Sequence, residues 1–141
     1  MSSEWDWKRV DNVPRHLFAS LERTALPGAP GVYAFYRDGA RVYVGKATRQ
    51  TVQDRVWKCH RGRGESMGNS ALRRNVAEML GIASARAIKT GAHPISDDEV
   101  QLVNTWLDAC ELACVALGSA ASATAVEDAL KAEFMPPLTK Q

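Results

Sequence analysis

Five polar side chains in this 141-residue chain are of types that can hydrolyse a phosphate ester. The carboxylate of Glu127 is a hard oxygen ligand, suited to Mg²⁺ or Mn²⁺ with most coordination positions left to water and phosphate. The guanidinium of Arg55 has planar donors that can bind two phosphate oxygens at once. A metal-bound water is more acidic than bulk water, and a tyrosinate or lysine (Tyr33, Tyr43 or Lys46) could take its proton. Together these types suit the hydrolysis of a phosphodiester bond.

Each of these residues also has a purely structural interpretation. Tyr33 and Tyr43 could be strand aromatics that pack on one face of a sheet, since alternate strand residues share a face. Glu127 could be an acid near a helix start, favoured by the helix macrodipole and paired with Lys131 at i+4. The residue types alone therefore leave both interpretations open.

The sequence predicts two strands, one on each side of a tight turn. Segments 32–36 and 41–44 are rich in aromatic and β-branched residues, and Asp38-Gly39 between them favours a hairpin. An apolar run at 110–117 fits a buried third strand. Periodicity and capping signals predict helices at 15–26, 51–61, 70–80, 97–108 (opened by a capping box from Ser96 to Glu99) and 123–134.

These elements give an α+β fold class, with a small three-stranded mixed or antiparallel sheet flanked by helices. A helical insertion at about 62–108 precedes the third strand. Residues 1–26 are predicted to form an N-terminal arm and a short helix, with a polar, partly mobile stretch that exposes Trp5 and Trp7. Residues 27–141 form the main domain.

The predicted hairpin carries a two-part motif, Gly-Val-Tyr at 31–33 and Tyr-Val-Gly at 43–45. Arg55 follows in the next helix, Glu127 in the last helix, and prolines at 136–137 come after it. This ordered set resembles the GIY-YIG nuclease family, over about residues 30–139. The resemblance implies the three-stranded GIY-YIG-like fold. It also implies an endonuclease that cuts DNA with one divalent metal ion, Mg²⁺ or Mn²⁺, held by Glu127.

The resemblance assigns roles to individual side chains. Tyr33 is the general base or the group that orients the water, and Tyr43 hydrogen-bonds at the same site. Lys46 lowers the pKa of a tyrosine or contacts phosphate, and Arg55 binds the scissile phosphate. His60 is a further candidate, because some family members place a histidine shortly after this arginine. It lies five residues past Arg55, about 140° around an α-helix, so we expect it on a somewhat different face.

One position departs from the family pattern. Thr139 stands where the family commonly has asparagine, a position that usually supports the site without doing chemistry. This departure keeps open an alternative, a non-catalytic GIY-YIG-like module that binds nucleic acid or scaffolds a complex. A small-molecule enzyme has little support, since the chain has neither a nucleotide-binding Gly-rich loop nor a nucleophile triad.

The positive charge is concentrated in one segment. Residues 37–74 contain ten Lys/Arg against three Asp/Glu, which favours a face for a polyanion, although a solvated charged face fits equally. The predicted nucleic-acid contacts are Lys46, Arg49, Arg61, Arg63, Arg73 and Arg74. No DNA-reading module is recognisable, so targeting would come from a homodimer, a partner protein, the insertion at 62–108 or the Trp5/Trp7 arm.

The composition and the N-terminal sequence bear on the cellular location. No apolar run approaches the roughly 20 residues that a membrane-spanning helix needs, and the N-terminus lacks the layout of a signal peptide. Three cysteines without such a signal argue against a disulfide framework, and their spacing does not suit structural zinc. We therefore expect an intracellular, cytoplasmic protein with no membrane partner.

Overall fold

The structure is a computed structural model that describes residues 5–60, 67, 68 and 70–139. Its sheet has four antiparallel strands in the order β1-β4-β2-β3. The strands are β1 (His16–Leu17), β2 (Gly31–Arg37), β3 (Ala40–Ala47) and β4 (Cys110–Ala116). The predicted α+β class is confirmed, with four strands where the sequence predicted three. The predicted third strand, β4, pairs with β2, so the strand that carries Tyr33 is central.

The β2–β3 hairpin forms as its turn residues predict. Asp38 and Gly39 both have left-handed backbone conformations, with φ of 52° and 80°. Two consecutive left-handed residues make the turn whose twist matches that of the flanking strands. A β-bulge between Phe35 and Tyr36 then shifts the register by one residue, so that Tyr33 lies opposite Gly45 and the two halves of the sequence motif lie side by side.

Helices flank the sheet on both faces. In the described part of the chain they are α1 (Trp7–Asp11), α2 (Val52–Asp54), α3 (Ala71–Met79), α4 (Ala85–Thr90), α5 (Asp97–Asp108) and α6 (Ala120–Glu133). Side chains of Ser or Thr cap the starts of α2 to α6, and the predicted capping box between Ser96 and Glu99 is present. None of these helices is long and apolar enough to cross a membrane.

The core has two parts, one on each face of the sheet. Tyr33 and Phe35 face a cluster with α2, α3, α4 and α5, whereas Val32, Ala34 and Tyr36 face α1 and α6. This division is the alternation expected of a strand that is buried on both sides. The sheet therefore lies between two helical layers, and β3 is the edge strand next to which the candidate site forms.

The N-terminal segment differs from its prediction. Residues 15–26 form the short strand β1 and two 3₁₀ turns (Phe18–Ser20 and Arg23–Ala25), where the periodicity predicted an α-helix. Leu17, which the prediction placed on the apolar side, is exposed. The backbone there pairs with the free edge of β4, a long-range partner that local periodicity does not report.

The prediction of an N-terminal arm with two exposed tryptophans was also wrong, because Trp7 is fully buried. Its indole Nε1 donates hydrogen bonds to the carbonyl oxygens of Leu130, at 2.8 Å, and Phe134, at 3.1 Å. Carbonyls at the end of a helix lack some of their partners within the helix, and the indole adds a donor there, although Leu130 also accepts from the backbone N–H of Phe134. The N-terminal segment is thereby tied to the last helix.

The helix predicted at 51–61 exists but changes type part-way. After α2 the chain continues as a π-helix over Arg55–His60. Hydrogen bonds in a π-helix join residues five apart, so residue i+5 lies closer to residue i around the axis than in an α-helix. Arg55 and His60 are therefore nearer to one face than the offset of about 140° expected for an α-helix.

Candidate active site

An open pocket of about 430 Å³ lies beside edge strand β3. Strand β2 contributes one tyrosine, β3 and the loop after it contribute several residues, and the π-helix and α6 contribute the remainder. Five of the six predicted catalytic side chains line it: Tyr33, Tyr43, Lys46, Arg55 and Glu127. Residues from separate parts of the sequence therefore converge on one cavity.

Tyr33 occupies space that exists because residue 45 is glycine. A Cβ atom at Gly45 would lie 2.6 Å from both Cζ and Oη of Tyr33, closer than atoms can approach. The Tyr33 ring is fully buried and stacks on the ring of Tyr43, with centroids 6.4 Å apart. The glycine of the second half-motif thus makes room for the tyrosine of the first.

A chain of hydrogen bonds leads away from the Tyr33 hydroxyl. Its oxygen lies 2.7 Å from Nε2 of His60, and Nδ1 of His60 lies 2.6 Å from Oγ of Ser70. Ser70 is the N-cap of α3, where its Oγ accepts a hydrogen bond from the backbone N–H of Arg73. His60 is fully buried and lies behind Tyr33, so it meets the pocket through that tyrosine.

Burial keeps both Tyr33 and His60 neutral. Burial raises the pKa of Tyr33 well above its ordinary 10.0, Tyr43 adds to the rise, and Arg55 opposes it through its charge and a hydrogen bond. Burial lowers the pKa of His60 well below its ordinary 6.5, as do the charges of Arg55 and nearby arginines. The pKa of Tyr43 is raised to about 12, again mainly by burial. No tyrosinate is therefore preformed at neutral pH.

Glu127 is the acidic group of the pocket. It lies on α6, eight residues into the helix and 6% exposed, not at the helix start that the sequence suggested. Its Oε1 lies 3.1 Å from Nζ of Lys131 and 3.8 Å from Nζ of Lys46. A carboxylate that is buried beside two ammonium groups at a cavity wall is in a strongly charged setting, as expected of a reactive site.

The same carboxylate is the donor that suits a divalent cation. Among the described residues, no group of three or more His, Cys, Asp or Glu is placed to hold a metal by itself. The donor set therefore fits a cation with one protein carboxylate and its remaining positions open to water and substrate oxygens, which is a habit of Mg²⁺.

Comparison with known protein families gives a match over most of the chain. A model of the GIY-YIG catalytic domain matches residues 33–141. This chain belongs to the GIY-YIG family. Members of the family are generally nucleases that use divalent metals. Searches among curated proteins and among solved structures gave no match.

The structure brings five of the predicted GIY-YIG residues together at one pocket, and the one departure from the family pattern has a structural role. Thr139 is buried, and its Oγ1 accepts a hydrogen bond of 2.8 Å from the backbone N–H of Val44. The backbone N–H of Leu138 also donates to the carbonyl oxygen of Val42, at 2.9 Å. The threonine therefore anchors the C-terminal segment to β3 beside Tyr43.

The predicted nucleic-acid contacts separate into four groups, of which Arg73 is the last. Lys46 and Arg49 line the pocket, and Arg49 is exposed. Arg74 is partly buried, and its charge acts on Tyr43 and His60, which places it near the site. Arg61 and Arg63 lie outside the described residues.

Arg73 corrects the prediction of a phosphate contact. Its side chain is fully buried, and its guanidinium donates to the carbonyl oxygen of His60, at 3.0 Å, and to Oδ1 of Asn104. A guanidinium enclosed in this way offers no donors to a phosphate backbone at the surface. We therefore assign Arg73 a structural role, in which it joins the π-helix to α3 and α5.

Two residues at the site were not among the predicted site residues. Ser70 was expected only as a helix cap, and nothing in the sequence signals its contact with His60. Lys131 was expected only as an i+4 partner of Glu127, yet it lines the pocket. The i+4 spacing from the family glutamate was the one signal that could have placed Lys131 at the site.

Proposed function

We propose that this chain is a divalent-metal-dependent DNA endonuclease that hydrolyses phosphodiester bonds. The observation that carries the proposal is the convergence of Tyr33, Tyr43, Lys46, Arg55 and Glu127 on one open pocket. Membership of a family whose members are generally nucleases also supports it. The composition of the pocket, with several cations around one carboxylate, is suited to a phosphate group and a bound cation together.

Glu127 holds the metal in this proposal. When bound, a cation there supplies positive charge to the phosphoryl oxygens and acidifies a water molecule. Arg55 binds the phosphate with its planar donors, and Lys46 neutralises a further oxygen. These residues need no rearrangement of the backbone to act, because strand β3, the π-helix and α6 already hold them around one cavity.

Tyr33 orients the attacking water with its neutral hydroxyl, and the proton of the water passes to bulk solvent in the open pocket. The lowered pKa of His60 makes that ring a poor proton acceptor, so it serves better as a hydrogen-bond donor. If the Ser70 hydroxyl donates to Nδ1, the ring proton lies on Nε2 and points at the Tyr33 oxygen. Together with the hydrogen bond from Arg55, this donor occupies the Tyr33 oxygen and leaves the hydroxyl proton of Tyr33 to be donated to the water.

The proposed substrate is DNA, brought to the pocket through Lys46, Arg49 and Arg74. Cleavage of both strands of a duplex would need a second site, from a homodimer, or successive binding events. A targeting partner protein is the other route to a chosen site. These partners follow from the family resemblance and the basic residues around the pocket.

The test is incubation of the purified protein with supercoiled plasmid, linear duplex, flap and junction DNA. Each is incubated with Mg²⁺, Mn²⁺ or EDTA. We expect metal-dependent cleavage by the wild type and a rate lower by about 100-fold or more for Glu127→Gln, because the metal ligand is lost. Glu22→Gln is the matched control, since Glu22 is exposed and lies away from the pocket. Its rate should equal that of the wild type.

The alternative is a module that binds nucleic acid without cutting it. Its sequence support was Thr139, and the hydrogen bond from Val44 gives that threonine a structural role that is compatible with catalysis. Equal DNA binding by the wild type and Glu127→Gln, with no cleavage of any DNA form in either metal, would favour this alternative.

A further inference from the structure

Lys131 contacts the carboxylate that is expected to bind the metal. Its Nζ lies 3.1 Å from Oε1 of Glu127, and Nζ of Lys46 lies 3.8 Å from the same oxygen. Lys131 also lines the pocket, with its side chain 25% exposed, whereas the side chain of Glu127 is 7% exposed. The side chain of Lys46 is 35% exposed and lines the same pocket, so both lysines lie on the open side of the carboxylate, and Lys131 is the nearer of the two.

A divalent cation and this ammonium compete for one carboxylate. Like charges about 4 Å apart repel one another strongly in a partly buried site, because the solvent screens them less than it does at the surface. A cation bound to Oε1 would meet that repulsion from Lys131 unless the lysine moved. A lysine side chain has a flexible four-carbon stem, so it can move without disturbing α6.

Lys46 is less able to leave. Its Nζ lies 3.5 Å from Oγ1 of Thr124 as well as 3.8 Å from Glu127, and its backbone belongs to β3. A second contact and a strand position keep its ammonium at the wall of the pocket. Lys131 is consequently the group that a cation has to displace.

We propose that Lys131 is a removable counter-charge for Glu127, paired with the carboxylate that binds the metal until substrate arrives. This inference rests on the proposed function, because it takes Glu127 as the metal ligand. When a DNA phosphate enters the pocket, it offers the ammonium a new partner and supplies oxygens to the cation. The Lys131 ammonium then moves from the Glu127 carboxylate to the DNA phosphate, and this movement couples metal binding to DNA binding. The protein without DNA therefore binds the metal weakly.

The simpler interpretation is a helix-stabilising i,i+4 pair. A Glu followed by a Lys four residues later stabilises an exposed helix slightly and has no bearing on metal affinity. The two interpretations therefore differ in the affinity for a cation in the absence of DNA.

The experiment measures Mn²⁺ binding to the protein without DNA by electron paramagnetic resonance. We expect Lys131→Met to bind Mn²⁺ about tenfold more tightly than the wild type, because one positive charge beside the ligand is gone. Lys131→Arg keeps the charge and should bind as weakly as the wild type. Lys89→Met, at an exposed position on α4, is the matched control and should leave the affinity unchanged. Adding Glu127→Gln to Lys131→Met should remove the gain.

Two results would overturn the inference. One is equal Mn²⁺ affinity for Lys131→Met and the wild type, with Lys131→Gln giving the same answer and circular dichroism showing both variants folded. The other is a gain that survives Glu127→Gln, because the cation would then bind elsewhere. A parallel cleavage assay separates this failure from that of the proposed function, since a wild type that cuts DNA with Mn²⁺ leaves the nuclease proposal intact.

Discussion

Gly31 and Gly45, the glycines of the two half-motifs, are needed for close approach rather than for an unusual backbone angle. A Cβ atom at Gly31 would lie 1.9 Å from the carbonyl oxygen of Val115 on β4, and one at Gly45 would collide with the Tyr33 ring. Neither glycine has a left-handed φ. The motif glycines therefore set how closely β4 approaches β2 and where the Tyr33 hydroxyl lies.

Gly45→Ala tests the second of these contacts. The new methyl group would force the Tyr33 ring to shift, so we expect a cleavage rate at least about tenfold lower and a destabilisation of about 1–3 kcal/mol. Gly28→Ala is the control, since a Cβ atom there meets no atom within 4 Å. Urea unfolding and the plasmid assay measure the two effects. An unchanged rate for Gly45→Ala would show that the position of the Tyr33 ring is not critical.

At the residue scale, the candidate site could be predicted from the sequence where one motif included several of its residues. The family motif placed Tyr33 and Tyr43 at one site, whereas the turn did not, because a two-residue turn alone would pair Tyr33 with Val44. A β-bulge beside Tyr36 shifts the register by one residue and brings both tyrosines to one face of the sheet. Arg73 could not be placed, since its burial depends on Asn104, 31 residues away, and on the carbonyl oxygen of His60. An arginine in a basic segment is indistinguishable in sequence from one that contacts phosphate.

At the element scale, the π-helix and the start of α3 act together. The π-helix turns His60 toward Tyr33, and the N-cap of α3 supplies the hydroxyl on the other side of the His60 ring. Ser70 therefore has two functions, one for the stability of α3 and one for the orientation of His60. A serine that only caps a helix would have the first function alone.

Ser70→Ala and Ser96→Ala separate these functions. Each variant loses an N-cap hydrogen bond, so we expect both to be destabilised by about 1 kcal/mol. Ser96 caps α5 and has no contact with the candidate site, whereas Ser70 contacts His60. Only Ser70→Ala should cleave DNA more slowly, with a shifted pH profile. Equal cleavage rates for the two variants would argue that Ser70 is a helix cap and nothing more.

Elements with strong local signals could be predicted, and those decided by distant contacts could not. The Asp38-Gly39 turn and the capping box at Ser96 each favour one local structure, so the hairpin and α5 were predicted correctly. The π-helix was not, because six residues of ordinary helical composition do not reveal which hydrogen-bond spacing they will adopt. Strand β1 was missed for a related reason, since two residues leave no periodicity and their partner is β4, far along the chain.

At the scale of the whole molecule, buried titratable groups near the site limit the pH range of stability. His60 has an ordinary pKa of 6.5 in the unfolded chain and a much lower one when folded. Between those two values the unfolded chain binds a proton that the folded chain does not, so stability falls as the pH drops below about 6.5. Tyr33 and Tyr43 limit stability at high pH. Their pKa values are near 10.0 in the unfolded chain and higher in the folded protein, so stability falls as the pH rises above about 10.

We expect the free energy of unfolding to fall between about pH 7 and pH 5, and His60→Gln to weaken that dependence. A glutamine removes the titrating ring while keeping a donor and an acceptor. His16→Gln is the control, because His16 is partly exposed on β1. Urea unfolding at a series of pH values measures the slopes. A slope that His60→Gln leaves unchanged would mean that other groups cause the acid sensitivity.

The attachment of Trp7 to the end of α6 has a practical consequence for anyone who moves this domain between proteins. The family match begins at Tyr33, inside β2, whereas the folded unit begins earlier, with the indole that donates to the carbonyls of Leu130 and Phe134. A fusion cut at the edge of the match would divide a strand and expose the side of α6 that Trp7 covers. The portable unit is therefore the one that carries α1 and β1 with it.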